Sequence, residues 1–129
     1  MALAALQKYL AAAARGIART SRAPKYFMID LKPIFLKKVK TILSGNVPEF
    51  DVMVYGSRAG KTAGKHSYLD LVVMSDKPLS AERLEKMEAA FKAAGFPFRV
   101  DTVDWASTGK DYRKEIKKTG ILIQKSAKK

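Results

Sequence analysis

The spacing of apolar residues changes along the chain between the period of a strand and the period of a helix. In FDVMVY, at 50–55, two valines alternate with other residues, and this period of two predicts a strand with both valines on one face. Leu84, Met87 and Phe91 recur at intervals of three and four residues. That spacing predicts the buried stripe of a helix over 81–94.

Residues that favour helix ends divide the rest of the compact region. Pro33 suits a first helical turn, Ser80 suits an N-cap, and Gly45, Gly95 and Gly120 suit carboxyl-terminal ends. The predicted elements, in chain order, are a helix at 31–43, a strand at 50–55, a Gly- and Lys-rich loop at 57–66, a strand at 68–74, a helix at 81–94, a strand at 98–103, a helix at 109–118 and a short strand at 121–124. This alternation predicts an α/β (α+β) fold with a mixed β-sheet flanked by helices.

The amino-terminal section has a pattern of its own. A helix over 2–22 places its larger apolar residues on one side and four basic residues on nearly the opposite side, and no acidic residue occurs before Asp30. Pro24 would break this amphipathic helix. The chain therefore divides into a basic extension at 1–27, a compact domain at 28–124 and a basic tail at 125–129.

A basic, acid-free amphipathic amino terminus is typical of mitochondrial transit segments. The same pattern suits a helix that lies on anionic lipid or docks in the groove of a partner protein. An ordinary helix that packs on its own domain remains open as well. The extension predicts a mitochondrial setting and a protein partner within a larger complex.

Composition narrows the classes of chemistry. The 129 residues carry a net charge of +13, which favours an anionic partner such as an RNA backbone or an anionic lipid surface, although a solvated lysine surface would show the same excess. The chain contains no cysteine and one histidine, His66. Disulfides, thiolate zinc sites and cysteine nucleophiles are thereby excluded. No apolar run approaches the roughly 20 residues of a membrane-spanning helix.

The sequence YGSRAGKTAGKHSYLDLVV, at 55–73, joins the end of one predicted strand to the next. Gly56 would let the backbone approach a phosphate closely, and Ser57 offers both an N–H and a hydroxyl group as donors. Arg58 and Lys61 add positive charge beside them. This turn is the candidate nucleotide-binding site, although a Gly-Ser pair after a strand is often only a turn.

The strand that follows this turn carries the candidate metal ligands. Residues 68 and 70 of a strand point to the same face. Two carboxylates so placed, with a third from a neighbouring strand, can hold two Mg²⁺ ions roughly 3.5–4 Å apart. Asp70 supplies one carboxylate, and Asp101 on the third predicted strand is the candidate for another. Tyr68 occupies the remaining position.

Three motifs, VYGSRAGKTAGKHSYLDLVV, FRVDTVDWAST and YRKEIKKTGILIQ, are similar to those of the minimal nucleotidyltransferases of the DNA polymerase beta superfamily, which often act as the antitoxin partner of a helical HEPN-type protein. The resemblance covers 28–124. It implies that Gly56 and Ser57 form the phosphate turn and that Asp70 and Asp101 are the second and third metal-binding carboxylates. Tyr68 stands where the family has its first. The family is bacterial and archaeal, which opens a prokaryotic cytoplasm as an alternative location.

A phenol, with a pKa of about 10, supplies neither charge nor a hard ligand to Mg²⁺ at neutral pH. Neither Asp76 nor Asp104 replaces the lost carboxylate, because the first lies beyond the strand and the second should face away from Asp101. The main interpretation is therefore a nucleotidyltransferase fold that has lost catalysis and serves as an accessory subunit. Two alternatives remain: an active enzyme that uses Mg²⁺ and a nucleoside triphosphate (NTP) to modify a protein or RNA hydroxyl, and a nucleotide-binding module without metal.

Overall fold

A computed structural model describes residues 29–60 and 67–127 of the chain. The helices are α1 (Pro33–Asn46), α2 (Ser57–Gly60), α3 (Ala81–Ala93) and α4 (Lys110–Thr119), and the strands are β1 (Val52–Tyr55), β2 (Leu69–Val73), β3 (Val100–Asp104) and β4 (Ile121–Gln124). The predicted amphipathic helix at 2–22 lies outside the described residues, as do Lys61 and His66. Within the described residues, no helix is long and apolar enough to cross a membrane.

The strands form one mixed sheet in the order β3-β2-β1-β4. Strand β1 is antiparallel to both β2 and β4, whereas β2 and β3 are parallel and are joined through α3. A parallel pair needs a crossover connection, and α3 provides it. The predicted mixed sheet flanked by helices is confirmed.

The two faces of the sheet bury cores of different size. On the first face, Leu69, Leu71 and Val73 of β2 pack with apolar residues of α1 and α3. On the second face, Val72 packs in a smaller cluster with Ile116 of α4. Side chains alternate along a strand, so every second residue faces this side of the sheet. The smaller cluster covers only part of the second face, and polar residues occupy its far end.

Helix α3 begins where the sequence predicts and is tied to the end of α1. The hydroxyl of Ser80 accepts a hydrogen bond from the backbone N–H of Arg83 at 3.2 Å, as an N-cap should. The guanidinium of Arg83 donates to both carboxylate oxygens of Glu49 at 2.9 Å and to the backbone oxygen of Asn46 at 2.8 Å. Bidentate pairing of this kind fixes the orientation of the two groups.

Several predicted boundaries are wrong. Helix α1 continues past Gly45 to Asn46, whose side chain donates to the oxygen of Ile42, so the cap lies at Val47. The first residues of the predicted loop at 57–66 form the short helix α2. Strand β3 begins two residues later than predicted, because Phe98 instead packs in an aromatic cluster, its ring stacked 5.2 Å from that of Phe96.

Candidate active site

Three polar side chains lie next to one another on three neighbouring strands. Tyr55 of β1 pairs in register with Asp70 of β2, and Asp70 pairs in register with Asp101 of β3. Because side chains alternate along each strand, all three belong to the second face of the sheet, where Tyr55 packs against the smaller core. The strand order therefore brings the two predicted carboxylates, Asp70 and Asp101, side by side.

This row of side chains concentrates negative charge. Burial raises the pKa of Asp70, and the nearby charges of Asp101 and Glu115 raise it further. Burial likewise raises the pKa of Tyr55 to about 12, with Asp70 and Asp101 as the next contributors. Tyr55 is therefore a neutral phenol at physiological pH, and the carboxylates beside it favour a cation.

Gly56 lies against the carboxylate of Asp70. Its φ angle is +78°, and a Cβ atom built on it would lie 2.6 Å from Oδ2 of Asp70. Any side chain at this position would collide with that oxygen, and the backbone conformation favours glycine. The structure thus gives the predicted phosphate turn a second task, which is to leave room for the carboxylate of Asp70.

Arg58 has a structural role that the sequence reasoning missed. Its side chain is buried. Its guanidinium donates to the backbone oxygens of Ser67 at 3.0 Å and Asp30 at 2.7 Å, and lies 4.4 Å from the centre of the Phe98 ring. These contacts connect α2 to the start of the described chain and to the segment before β3. Binding of nucleotide by Ser57, Arg58 and Lys61 stays a prediction.

Tyr68 lies on the surface beside an arginine. The Tyr68 residue is 48% exposed, and the guanidinium carbon of Arg99 lies 5.5 Å from the centre of its ring. Nε of Arg99 also lies 3.5 Å from Oδ1 of Asp101. Sequence reasoning missed Arg99, although its position two residues before Asp101 on a strand predicts that both face the same way.

Asp104 points away from this row, as predicted. It is buried, and its carboxylate accepts hydrogen bonds from the backbone N–H groups of Leu79 at 3.0 Å and Ser107 at 2.6 Å. Burial alone would raise the pKa of Asp104, but the hydrogen bonds outweigh burial and lower it. Asp104 therefore joins the loop that follows β3 to the loop between β2 and α3, and takes no part in the candidate site.

The donors present suit a divalent cation such as Mg²⁺. In residues 29–60 and 67–127, no three His, Cys, Asp or Glu side chains are grouped to hold a metal ion. Asp70 and Asp101 remain as a pair of neighbouring carboxylates, the hard oxygen ligands that Mg²⁺ prefers. Because the negative charges around Asp70 are close enough to raise its pKa, a cation between the pair would be stabilised.

Comparison with known proteins identifies the family. The family model described as polymerase beta nucleotidyltransferase matches residues 37–129. The chain belongs to this family. It is 39% identical over 103 residues to "Probable protein adenylyltransferase MntA" of Haemophilus influenzae, in an alignment that covers 80% of this chain and 90% of that relative. The predicted resemblance is thereby confirmed.

Solved structures agree on the fold. One chain, from a crystal structure of a toxin–antitoxin with AMP-PNP, has a TM-score of 0.61 at 19% identity and covers 71% of this nucleotidyltransferase and 74% of its own length. Another, from a complex of tri-AMPylated Shewanella oneidensis HEPN toxin with MNT antitoxin, has a TM-score of 0.57 at 17% identity, with coverages of 72% and 71%. At such low identity these likenesses show the shared fold.

The relationship to MntA corrects the main functional prediction. A non-catalytic accessory subunit is the wrong interpretation, because the chain matches nine tenths of a relative described as a probable protein adenylyltransferase at 39% identity. The alternative of an active minimal nucleotidyltransferase is the better supported one. The comparisons lend no support to an RNA or lipid partner, and the mitochondrial setting stays a prediction.

Proposed function

We propose that this nucleotidyltransferase transfers AMP from ATP to a hydroxyl group of a partner protein. The observation that carries the proposal is the side-by-side placement of Asp70 and Asp101 on adjacent strands. The 39% identity to a relative described as a probable protein adenylyltransferase supports AMP as the group and protein as the acceptor. Asp70 and Asp101 are the carboxylates that would hold a metal ion for such a transfer, with Tyr68 at the position of a third.

We further propose a HEPN-type protein as the partner. The support is that chains of similar fold occur in toxin–antitoxin complexes, one of them with an AMPylated HEPN toxin. A tyrosine, serine or threonine of that partner would be the acceptor. Its hydroxyl oxygen attacks the α-phosphorus, the bond to the leaving pyrophosphate breaks, and the hydroxyl proton passes to solvent.

The residues of the site divide this work between them. Asp70 and Asp101 would hold Mg²⁺, which when bound offsets the charge of the triphosphate and polarises its phosphoryl oxygens. Gly56 leaves the space that the carboxylate of Asp70 occupies. Tyr55 stays protonated because of its raised pKa, so it adds no further negative charge beside the triphosphate.

The test is a pair of incubations with the purified chain, Mg²⁺ and the HEPN-type protein of the same organism. One incubation contains ATP labelled at the α-phosphate and the other contains ATP labelled at the γ-phosphate. We expect label on the partner protein from the first and none from the second, because adenylyl transfer keeps the α-phosphate and releases the γ-phosphate with pyrophosphate. Label from γ-ATP alone would indicate phosphoryl transfer, and no label from either would overturn the proposal.

A further inference from the structure

Because Tyr68 stands where the family has a carboxylate, the active site has one ligand fewer with which to bind a second metal ion. The family resemblance implies three carboxylates for a site of two divalent cations, which together stabilise the attacking and leaving oxygens. The described residues offer Asp70 and Asp101 in neighbouring register, and no group of three suited to a metal. A triphosphate bound there would meet one divalent cation and would lack part of its usual counter-charge.

Arg99 places a positive charge beside both Tyr68 and Asp101. It immediately precedes β3 and lies two residues before Asp101. Its Nε atom is 3.5 Å from Oδ1 of the Asp101 carboxylate. Its side chain is 64% exposed. A guanidinium has five N–H donors in a planar fork, so the contact through Nε to Asp101 occupies one edge of it. The open part of the group can bind a further anion.

Tyr68 contributes to the position of this guanidinium. The guanidinium carbon lies 5.5 Å from the ring centre, within the range of a cation–π interaction. An aspartate at position 68 would instead pair its own charge with Arg99 and draw the guanidinium away from an incoming phosphate.

We propose that Arg99 binds the triphosphate directly and supplies the positive charge that a second metal ion provides in a three-carboxylate site. Arginine suits this role because its fork matches two phosphate oxygens at once and it stays charged at every physiological pH. The proposal rests on the proposed function, since it identifies a substrate contact of that same site. It also explains how the site handles ATP with Tyr68 in place.

The alternative is that Arg99 only makes a surface ion pair with Asp101. Exposed pairs of this kind contribute little to stability. The two roles differ in what Arg99→Ala changes in the absence of Mg²⁺: loss of a substrate contact weakens ATP binding, whereas loss of a surface ion pair leaves ATP binding and folding nearly unchanged. Lys86→Ala, which removes an exposed positive charge on α3, is the matched control for a general loss of charge.

The first experiment measures ATP binding by calorimetry with and without Mg²⁺. We expect Arg99→Ala to weaken ATP binding at least tenfold in both conditions, Arg99→Lys to weaken it less, and Lys86→Ala to leave it near the wild-type value. The melting temperature of Arg99→Ala should match that of the wild type. An affinity for ATP equal to that of Lys86→Ala would overturn the proposal.

The second experiment counts Mn²⁺ ions bound per chain by equilibrium dialysis in the presence of a non-hydrolysable ATP analogue. We expect one ion for the wild type and two for Tyr68→Asp. Because the second ion would replace the guanidinium charge, the double variant Tyr68→Asp/Arg99→Ala should recover much of the ATP affinity lost by Arg99→Ala. Two ions in the wild type, or no recovery in a double variant that binds two, would contradict the proposal.

These results separate the inference from the function on which it rests. If the wild type transfers AMP and Arg99→Ala binds ATP normally, the role of Arg99 is wrong and the proposed function stands. If the wild type transfers no AMP to any partner, the proposed function falls. In that case the proposal for Arg99 as part of a transferase falls with it, and the ATP affinities show whether the guanidinium binds phosphate at all.

Discussion

Gly56 and the carboxylate of Asp70 occupy adjoining space at the end of β1. A Cβ atom on Gly56 would lie 2.6 Å from Oδ2 of Asp70, closer than such atoms approach in proteins. The φ angle of +78° also places the glycine in the left-handed region. The turn that ends β1 and the carboxylate that is expected to bind metal are therefore parts of one local structure.

Substitution Gly56→Ala should disturb both parts. We expect a loss of at least about 1 kcal/mol in the free energy of unfolding, because the methyl group adds backbone strain and displaces the Asp70 carboxylate. Urea titration followed by circular dichroism measures the loss. Adenylyl transfer should fall together with stability, and a variant with wild-type stability and activity would show that the close contact with Asp70 is incorrect.

Substitution Gly45→Ala should have the opposite effect on stability. Gly45 lies inside α1, and a Cβ atom there would meet nothing within 4 Å. Alanine should therefore stabilise the chain by about 0.5–1 kcal/mol through its higher helix propensity. The same urea titration tests it, and activity should not change. A destabilised Gly45→Ala variant would mean that Gly45 ends the helix, as the sequence predicts.

Arg58→Lys separates a structural role from a nucleotide-binding role. Lysine keeps the charge but cannot reproduce the donors that Arg58 directs to Asp30 and Ser67. We expect a loss of about 1–3 kcal/mol in the free energy of unfolding, because two partly buried backbone acceptors lose their partner. The ATP affinity of the folded variant should change little. Weakened ATP binding at unchanged stability would restore the predicted nucleotide contact.

Asp104→Asn should change how stability depends on pH. Hydrogen bonds lower the pKa of Asp104 in the folded chain despite its burial. A lowered pKa adds stability above the ordinary aspartate value near 4, and that stability is lost as pH falls through the folded-state value. We expect Asp104→Asn to be less stable by about 1–3 kcal/mol at neutral pH. The difference from the wild type should shrink in acid.

Unfolding by urea at pH 7, 5 and 3 measures this dependence. The control is Asp76→Asn, which removes an exposed carboxylate. That variant should follow the wild type closely at each pH. A gap between Asp104→Asn and the wild type that stays constant from pH 7 to pH 3 would contradict the assigned role of the hydrogen bonds from Leu79 and Ser107.

The residue patterns predicted the presence of the helices and strands better than the residues at which they begin and end. The alternation around Val52 and the stripe of Met87 and Phe91 place these residues in the core, and Ser80 caps α3 as expected. The predicted helix end at Gly45 is wrong because a glycine ends a helix only where the chain turns. Asn46 instead continues the helix, with its side chain bonded to the preceding turn.

The sequence predicts the parts of the site that depend on the alternation of side chains along a strand. It predicts less well the parts that depend on contacts between distant residues. Alternation along each strand predicts which neighbouring side chains share a face with Asp70 and which with Asp101. The two carboxylates are adjacent only if β2 and β3 are neighbours. The family resemblance implies that neighbourhood, whereas residue spacing alone does not. The partners of Arg58 are distant in sequence, so its burial was hidden. The inference from Tyr68 to lost catalysis is wrong because the chain is 39% identical to a relative described as a probable protein adenylyltransferase.

The proposed function depends on the carboxylate of Asp70, and intact-mass spectrometry of the partner protein tests that dependence most directly. The HEPN-type partner is incubated with ATP, Mg²⁺ and either the wild type, Asp70→Asn or Asp76→Asn. We predict that the partner gains the mass of one or more adenylyl groups with the wild type and Asp76→Asn, and none with Asp70→Asn. A partner left unmodified by the wild type, or modified equally by Asp70→Asn, would contradict the account.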